Sequence, residues 1–252
     1  MEALSAFCMA GSAARRKRTA PKKCGMILGI DGCREGWVAI GLDYEGRFVR
    51  AGWAPTLRGI LKSDSGLSVA GIDMPLRLLD APRRPADLTA RRSLGPDRGR
   101  SVFPAIPRFA IESEWLTKSY DAVVSECLRR YGTRISRQSF ALRGKIAEAN
   151  AARESGLPVI EVHPELSFQV MNGGERLQFA KKCWGGQRQR LALLEARGIH
   201  FPGELPRPVS LLAPDDVIDA AAAAWSAWRY VNEVALRLPP DTRDPDEPAI
   251  FA

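Results

Sequence analysis

Four aspartates stand where this chain could do chemistry: Asp31, Asp73, Asp216 and Asp219. Asp31 follows the apolar run Met26-Ile27-Leu28-Gly29-Ile30, and Asp73 follows another, Leu67 to Ile72. A carboxylate at the end of a strand that otherwise reads as core is costly to bury unless it is paired or binds a cation. Asp216 and Asp219 are three apart in DDVIDAAAAAWSAW, so a helix places them on one side of its first turn. Each acid alone has an ordinary structural explanation. Asp31-Gly32 is good turn chemistry, and Asp215 or Asp216 would be favoured at a helix start by capping and the macrodipole. Asp219 lies too deep in its helix to be a good cap. Taken together, clustered carboxylates are what hold Mg²⁺ or Mn²⁺. Two such ions about 3.5–4 Å apart can activate a water and stabilise both oxygens of a phosphodiester being cut.

The elements that must position these acids follow from periodicity. Gly25 to Tyr44 predicts two strands joined by a tight glycine-bounded turn, and Gly46 to Trp53 predicts a third antiparallel strand. Pro55 and Thr56 open a short crossover helix to about Lys62, before the fourth strand at Leu67–Ile72. Arg77 to Arg108 is an excursion with eight arginines and no lysine, whose guanidinium groups suit phosphate contact or simply a solvated surface. Helical periodicity covers Glu112–Tyr131 and Phe140–Glu154. Val159 to His163 predicts a fifth strand with Glu161 and His163 on one face. Pro164-Glu165 is a helix opening. Residues 173–190 form a glycine-punctuated basic stretch, Leu191–Arg197 a helix, and Asp216 to about Leu238 the last helix. Three antiparallel strands followed by crossovers to a fourth and a fifth is the order of an α/β, ribonuclease H-like fold. That fold has a five-stranded mixed sheet, helices on both faces, and here a helical, Arg-rich insertion between strands four and five.

The motifs GIDGCREGWVAI, GIDMPLRL, the Arg84–Phe103 segment, GKIAEAN, VIEVHPELSF and DDVIDAAAAAWSAW together resemble a family of predicted nucleases of unknown function with this fold. The resemblance spans about Met26 to Arg237. The DxxDA pairing on the last helix is similar to that of the Holliday-junction resolvase branch. The resemblance implies a metal-dependent nuclease in which Asp31, Asp73 and Asp219 are ligands of Mg²⁺ or Mn²⁺, with Asp216 supplementary. Asn150 stands where the family pattern has an acid. Beside the aspartates, Glu161 could add a ligand or orient a basic side chain, and His163 could move a proton near neutral pH or be a satisfied structural residue. Arg91, Lys145 and Lys182 are expected to contact phosphate, so nucleic acid is the expected partner. Resolvase relatives work in pairs, which leaves a homodimer open.

Composition sets outer bounds. With 45% hydrophobic and 26% charged residues, the chain is that of an ordinary globular protein. No apolar run approaches the roughly 20 residues needed to span a bilayer, so no membrane partner is expected. Five of the eight net positive charges belong to residues 1–25, so the basic balance is weak support for nucleic-acid binding. Five cysteines without a CxxC pair or zinc spacing fit a reducing cytoplasm. The expected organisation is a basic disordered arm (1–24), a single domain (25–238) and a Pro/Asp-rich tail, disordered or strap-like (239–252). Two other readings compete. Actin-like, sugar-kinase and Hsp70-type ATPases share the opening Asp-Gly hairpin but need a second one, which is absent here. A non-catalytic module that binds nucleic acid or protein through its Arg-rich excursion would make the acids structural.

Overall fold

Residues 25–62, 66–241 and 247–252 are described by a computed structural model, so the basic arm expected over 1–24 lies outside the described residues. β1 (Met26–Cys33) and β2 (Gly36–Leu42) form the expected hairpin, with Ile30 opposite Ala39. β3 (Phe48–Ala54) pairs antiparallel with β2. α1 (Leu57–Lys62) then carries the chain to β4 (Leu67–Ile72), which runs parallel to β1 with Ile30 beside Ile72. Between β4 and the next strand lie α2 (Pro85–Arg98), α3 (Ser113–Leu116), α4 (Tyr120–Tyr131), α5 (Arg137–Ala141) and α6 (Arg143–Glu154). β5 (Val159–Glu161) is parallel to β4. α7 (Pro164–Met171), α8 (Trp184–Glu195) and α9 (Pro214–Val231) follow, and β6 (Arg237–Leu238) pairs with β7 (Ile250–Phe251). The five-strand order β3-β2-β1-β4-β5 is the mixed sheet that the element order predicted.

Strand alternation assigns the two faces. Ile27 and Val69 pack with α7, α8 and α9; Leu28, Ile30 and Ile72 pack on the opposite face with α1, α4 and α6. Gly29 and Gly71 therefore lie on the α9 side, and there they let a helix backbone sit directly on the sheet. A Cβ on Gly29 would fall on Ala224 N and Ala220 O, and one on Gly71 would be 2.7 Å from Ala223 O. Ala220 to Ala224 are all fully buried, so along this stretch α9 has no side chain larger than a methyl group to keep it off the strands.

Several helix boundaries differ from expectation for local reasons. The helix expected over Glu112–Tyr131 breaks before Ser119, whose hydroxyl caps α4 by accepting from Ala122 N. The one expected over Phe140–Glu154 is divided at Leu142 into α5 and α6. α2 carries a non-helical Gly95 (φ 73°) ahead of Pro96. α8 begins seven residues earlier than periodicity suggested, with Cys183 Sγ accepting from Gly186 N. α9 ends at Val231 rather than near Leu238. The final residues return as a strap: Leu236 and Ala252 exchange both backbone hydrogen bonds, and Phe251 bridges to Val162 beside β5.

Candidate active site

The same two-residue period that places Gly29 and Gly71 under α9 places Asp31 and Asp73 just beyond them, on the same face. Asp219 reaches this point from α9 because the alanines that follow it let the helix lie flat on β1. Asp31, Asp73, Asp216 and Asp219 consequently line one cavity of about 490 Å³. His163, Glu165, Arg98, Lys181 and Lys182 complete its functional walls. Asp31 and Asp219 are buried, while Asp73 and Asp216 are half-buried. The N-cap of α9 is Ala213 and makes no side-chain capping bond, so neither Asp215 nor Asp216 is consumed as a cap.

The acids strain against one another. Burial pushes the Asp31 carboxyl well above the usual range, and the charges of Asp73 and Asp219 push the same way. Asp73 is raised to about 7, by burial first, with Lys181 opposing and Glu165 adding to the rise. Asp219 is raised to about 6 by burial, again with Lys181 opposing. Asp216 is raised by burial and by Asp215. The cation among them is the Lys181 ammonium, which donates to Asp219 Oδ2 at 2.5 Å and lies 3.9 Å from Asp215 Oδ2. Lys181 is itself desolvated, yet the carboxylates more than compensate and hold it protonated.

The loop that delivers Lys181 is fixed by a buried arginine. Arg190, 1% exposed, donates from Nη2 to Glu165 Oε1 and from Nη1 to the carbonyls of Phe179 and Gly186. One guanidinium thus ties the cavity acid Glu165 to the loop two residues before Lys181. Arg98 clamps the same loop by donating to Leu177 O. Sequence reasoning passed over Lys181, Glu165 and Arg98. The Lys181-Lys182 pair was the available signal, but a loop without periodicity does not tell which lysine turns inward.

The other expected residues are distributed as follows. His163 lines the cavity; burial lowers its pKa, and its buried Nδ1 has no hydrogen-bond partner. Glu161 is held elsewhere. Its Oε1 accepts from Arg84 Nη2 at 2.6 Å, and its Oε2 accepts from Arg84 Nη1 and Leu76 N. Arg84 also bonds Asp87, closing a buried three-residue ion network. With both oxygens engaged, Glu161 meets Asp73 and His163 only at a minor recess behind the cavity. Lys145 donates to Gly36 O at 2.6 Å and lies over the Trp37 ring, bracing the β1–β2 hairpin rather than lining the cavity. Arg91, on α2, is not among the lining residues. Asn150 is fully bonded away from the acids: Nδ2 donates to Pro75 O and Ile146 O, and Oδ1 accepts from Arg77 N.

The donor chemistry suits a hard divalent ion, because the lining acids offer carboxylate oxygens and Asp219 Oδ1 is buried without a hydrogen-bond partner. Among the described residues, no group of three or more His, Cys, Asp or Glu side chains is already gathered to hold a metal ion. Among the described residues, no helix is long and apolar enough to cross a membrane.

A family model described as "Protein of unknown function (DUF429)" matches residues 29–244. No curated protein matches the chain. Among solved structures, the Thermus thermophilus RuvC structure is similar at 16% identity and a TM-score of 0.33, covering 83% of this chain and 97% of that one.

Proposed function

We propose that this chain, which belongs to the DUF429 family, is a metal-dependent phosphodiester hydrolase of ribonuclease H-like fold acting on nucleic acid. The observation that carries the reading is the convergence of Asp31, Asp73, Asp216 and Asp219, from two strands and one helix, on a single cavity that Arg98, Lys181 and Lys182 also line, together with the acids Asp97 and Glu165. Asp31, Asp73 and Asp219, with Asp216 beside them, would hold Mg²⁺ or Mn²⁺. Such an ion, when bound, supplies charge for the reacting phosphate and lowers the pKa of a coordinated water. Lys182 and Arg98 on the walls would hold the negatively charged backbone, and Arg would do so with planar, two-pronged geometry. His163 lines the same cavity, and burial favours its neutral imidazole.

A second reading is favoured by one observation. Lys181 already neutralises Asp219 without any metal, so the acids could be a structural cluster in a module that binds nucleic acid and does not cut it.

Calorimetric titration of Mg²⁺ and Mn²⁺ into wild type and Asp31→Asn separates the two, followed by assay of both proteins on DNA, RNA, hybrid and branched substrates. The hydrolase reading expects wild type to bind metal and cut at least one substrate, and Asp31→Asn to do neither. Failure of wild type to bind metal at millimolar concentration would leave only the binding module.

A further inference from the structure

The carboxylate cavity contains a cation that belongs to the chain. Lys181 Nζ is 2.5 Å from Asp219 Oδ2, 3.9 Å from Asp215 Oδ2, and close enough to Asp31 and Asp73 to feel both charges. Its side chain is 37% exposed, so water reaches it and its departure needs no unfolding of the core. The loop that carries it, between α7 and α8, begins with Gly173 (φ 71°) and Gly174 (φ 91°) and is anchored at Leu177, at Phe179 O by Arg190 and at the N-terminus of α8. The anchors hold the backbone, while the lysine side chain has four rotatable methylenes beyond them.

We infer that Lys181 is a built-in cation that competes with divalent metal: it neutralises the acid set in the metal-free protein and must leave Asp219 for metal to bind there. This inference rests on the metal-dependent reading above. The physics is that of one seat with two claimants. Asp219 Oδ2 accepts a charge-assisted hydrogen bond from Lys181, and the same oxygen is one of the donors a divalent ion would take. Buried carboxylates that line one cavity raise one another's pKa unless positive charge lies among them, and a point-charge ammonium on a flexible stem can supply it and then swing out. Lys181 thereby sets a threshold: only an ion that binds the acids more strongly than the tethered ammonium opens the site.

The test compares Mn²⁺ affinity by calorimetry in wild type, Lys181→Met and Lys182→Met. Lys182 lines the same cavity, but among the described contacts it makes no hydrogen bond to a carboxylate, so it controls for simple loss of positive charge. Removing the competitor is expected to tighten Mn²⁺ binding by about tenfold or more, the effect of one charge-assisted bond, while Lys182→Met changes it by less than about threefold. Lys181→Met should also melt at lower temperature without metal and regain most of the difference in saturating Mn²⁺. A variant that folds only with Mn²⁺ present is the strong form of the same result. In wild type, the ¹⁵N resonance of the Lys181 ammonium should shift on adding Mg²⁺ by more than that of any other lysine, Lys182 included, a measurement that needs no variant. If wild type binds Mn²⁺ and Lys181→Met binds it equally or more weakly, competition is overturned and the metal-dependent reading stands. If none of the proteins binds Mn²⁺ at millimolar concentration, both fall.

Discussion

At the scale of single residues, the two buried glutamates near β5 have opposite assignments. Glu161 is saturated by Arg84 and Leu76, whereas Glu165 lines the cavity and raises the pKa of both Asp73 and Asp219 by its charge. Glu161→Gln should therefore destabilise the fold by about 3–5 kcal/mol in denaturant titration, because it leaves part of a buried guanidinium uncompensated, and should leave Mn²⁺ affinity unchanged. Glu165→Gln should also destabilise the fold, because it removes the carboxylate from the buried Arg190 guanidinium, but unlike Glu161→Gln it should in addition weaken Mn²⁺ binding severalfold. Equal effects of the two on metal affinity would overturn the assignment. Asp31→Asn makes a related point. It removes one of several mutually repelling buried carboxylates, so the metal-free variant should melt higher than wild type by about 2–4 °C for each kcal/mol of relief, even as it loses metal. A lower melting temperature would mean that the Asp31 charge supports the fold. The sequence marked acids at these positions but not their partners. Alternation along Val159–His163 puts Glu161 and His163 on one face, but β5 sets Glu161 beside Ile72, whose side chain lies on the face away from α9, so Glu161 points away from the acids and meets Arg84, 77 residues away in sequence.

At the scale of elements, the site depends on how closely α9 approaches the sheet. Gly29 is the closest point, since its missing side chain is replaced by the backbone of Ala220 and Ala224. Gly29→Ala should force α9 outward and cost about 1–3 kcal/mol or more in thermal or chemical unfolding. Because Asp219 rides on α9 and Asp31 on β1, the same substitution should weaken Mn²⁺ binding beyond what its loss of stability explains. Unchanged metal affinity in a folded Gly29→Ala protein would show that the acids adapt independently of the helix. This packing was legible beforehand: five consecutive alanines in DDVIDAAAAAW state that the helix comes close to something, and glycines within apolar strand runs say where. The loop from Gly173 to Cys183 was not legible, because its course is set by a buried arginine of α8 and by Arg98 of α2, each acting across long sequence separations.

At the scale of the whole molecule, the C-terminal strap and the Arg-rich excursion stabilise each other. β5 is only three residues long, and its outer side would offer unpaired backbone groups. Phe251 bridges to Val162 there, and Ile250 and Ala252 bury themselves with Leu238, Leu166 and the α2 residues Ala86, Ala90 and Leu94. The Arg77 guanidinium adds a bond to Glu247 O. The strap therefore holds α2 against the sheet, and α2 ends in Arg98, which lines the cavity and clamps the loop of Lys181. Neither short strand was visible beforehand: β6 falls where the last helix was expected to run on to Leu238, and β7 follows the prolines and acids of PPDTRDPDEP in a two-residue pairing too short to show a period. Ile250→Ala should cost about 2–4 kcal/mol by denaturant unfolding, the range for truncating a buried isoleucine. Its distinguishing signature is regional. Native-state hydrogen exchange should accelerate in α2 and β5, while the amides of β1, β2 and α9, which pack in a separate part of the core, keep their protection. If exchange rises evenly over the whole sheet, the strap is one more piece of a single cooperative core. If it rises in α2 alone with β5 protected, the strap braces the insertion without sealing the sheet edge.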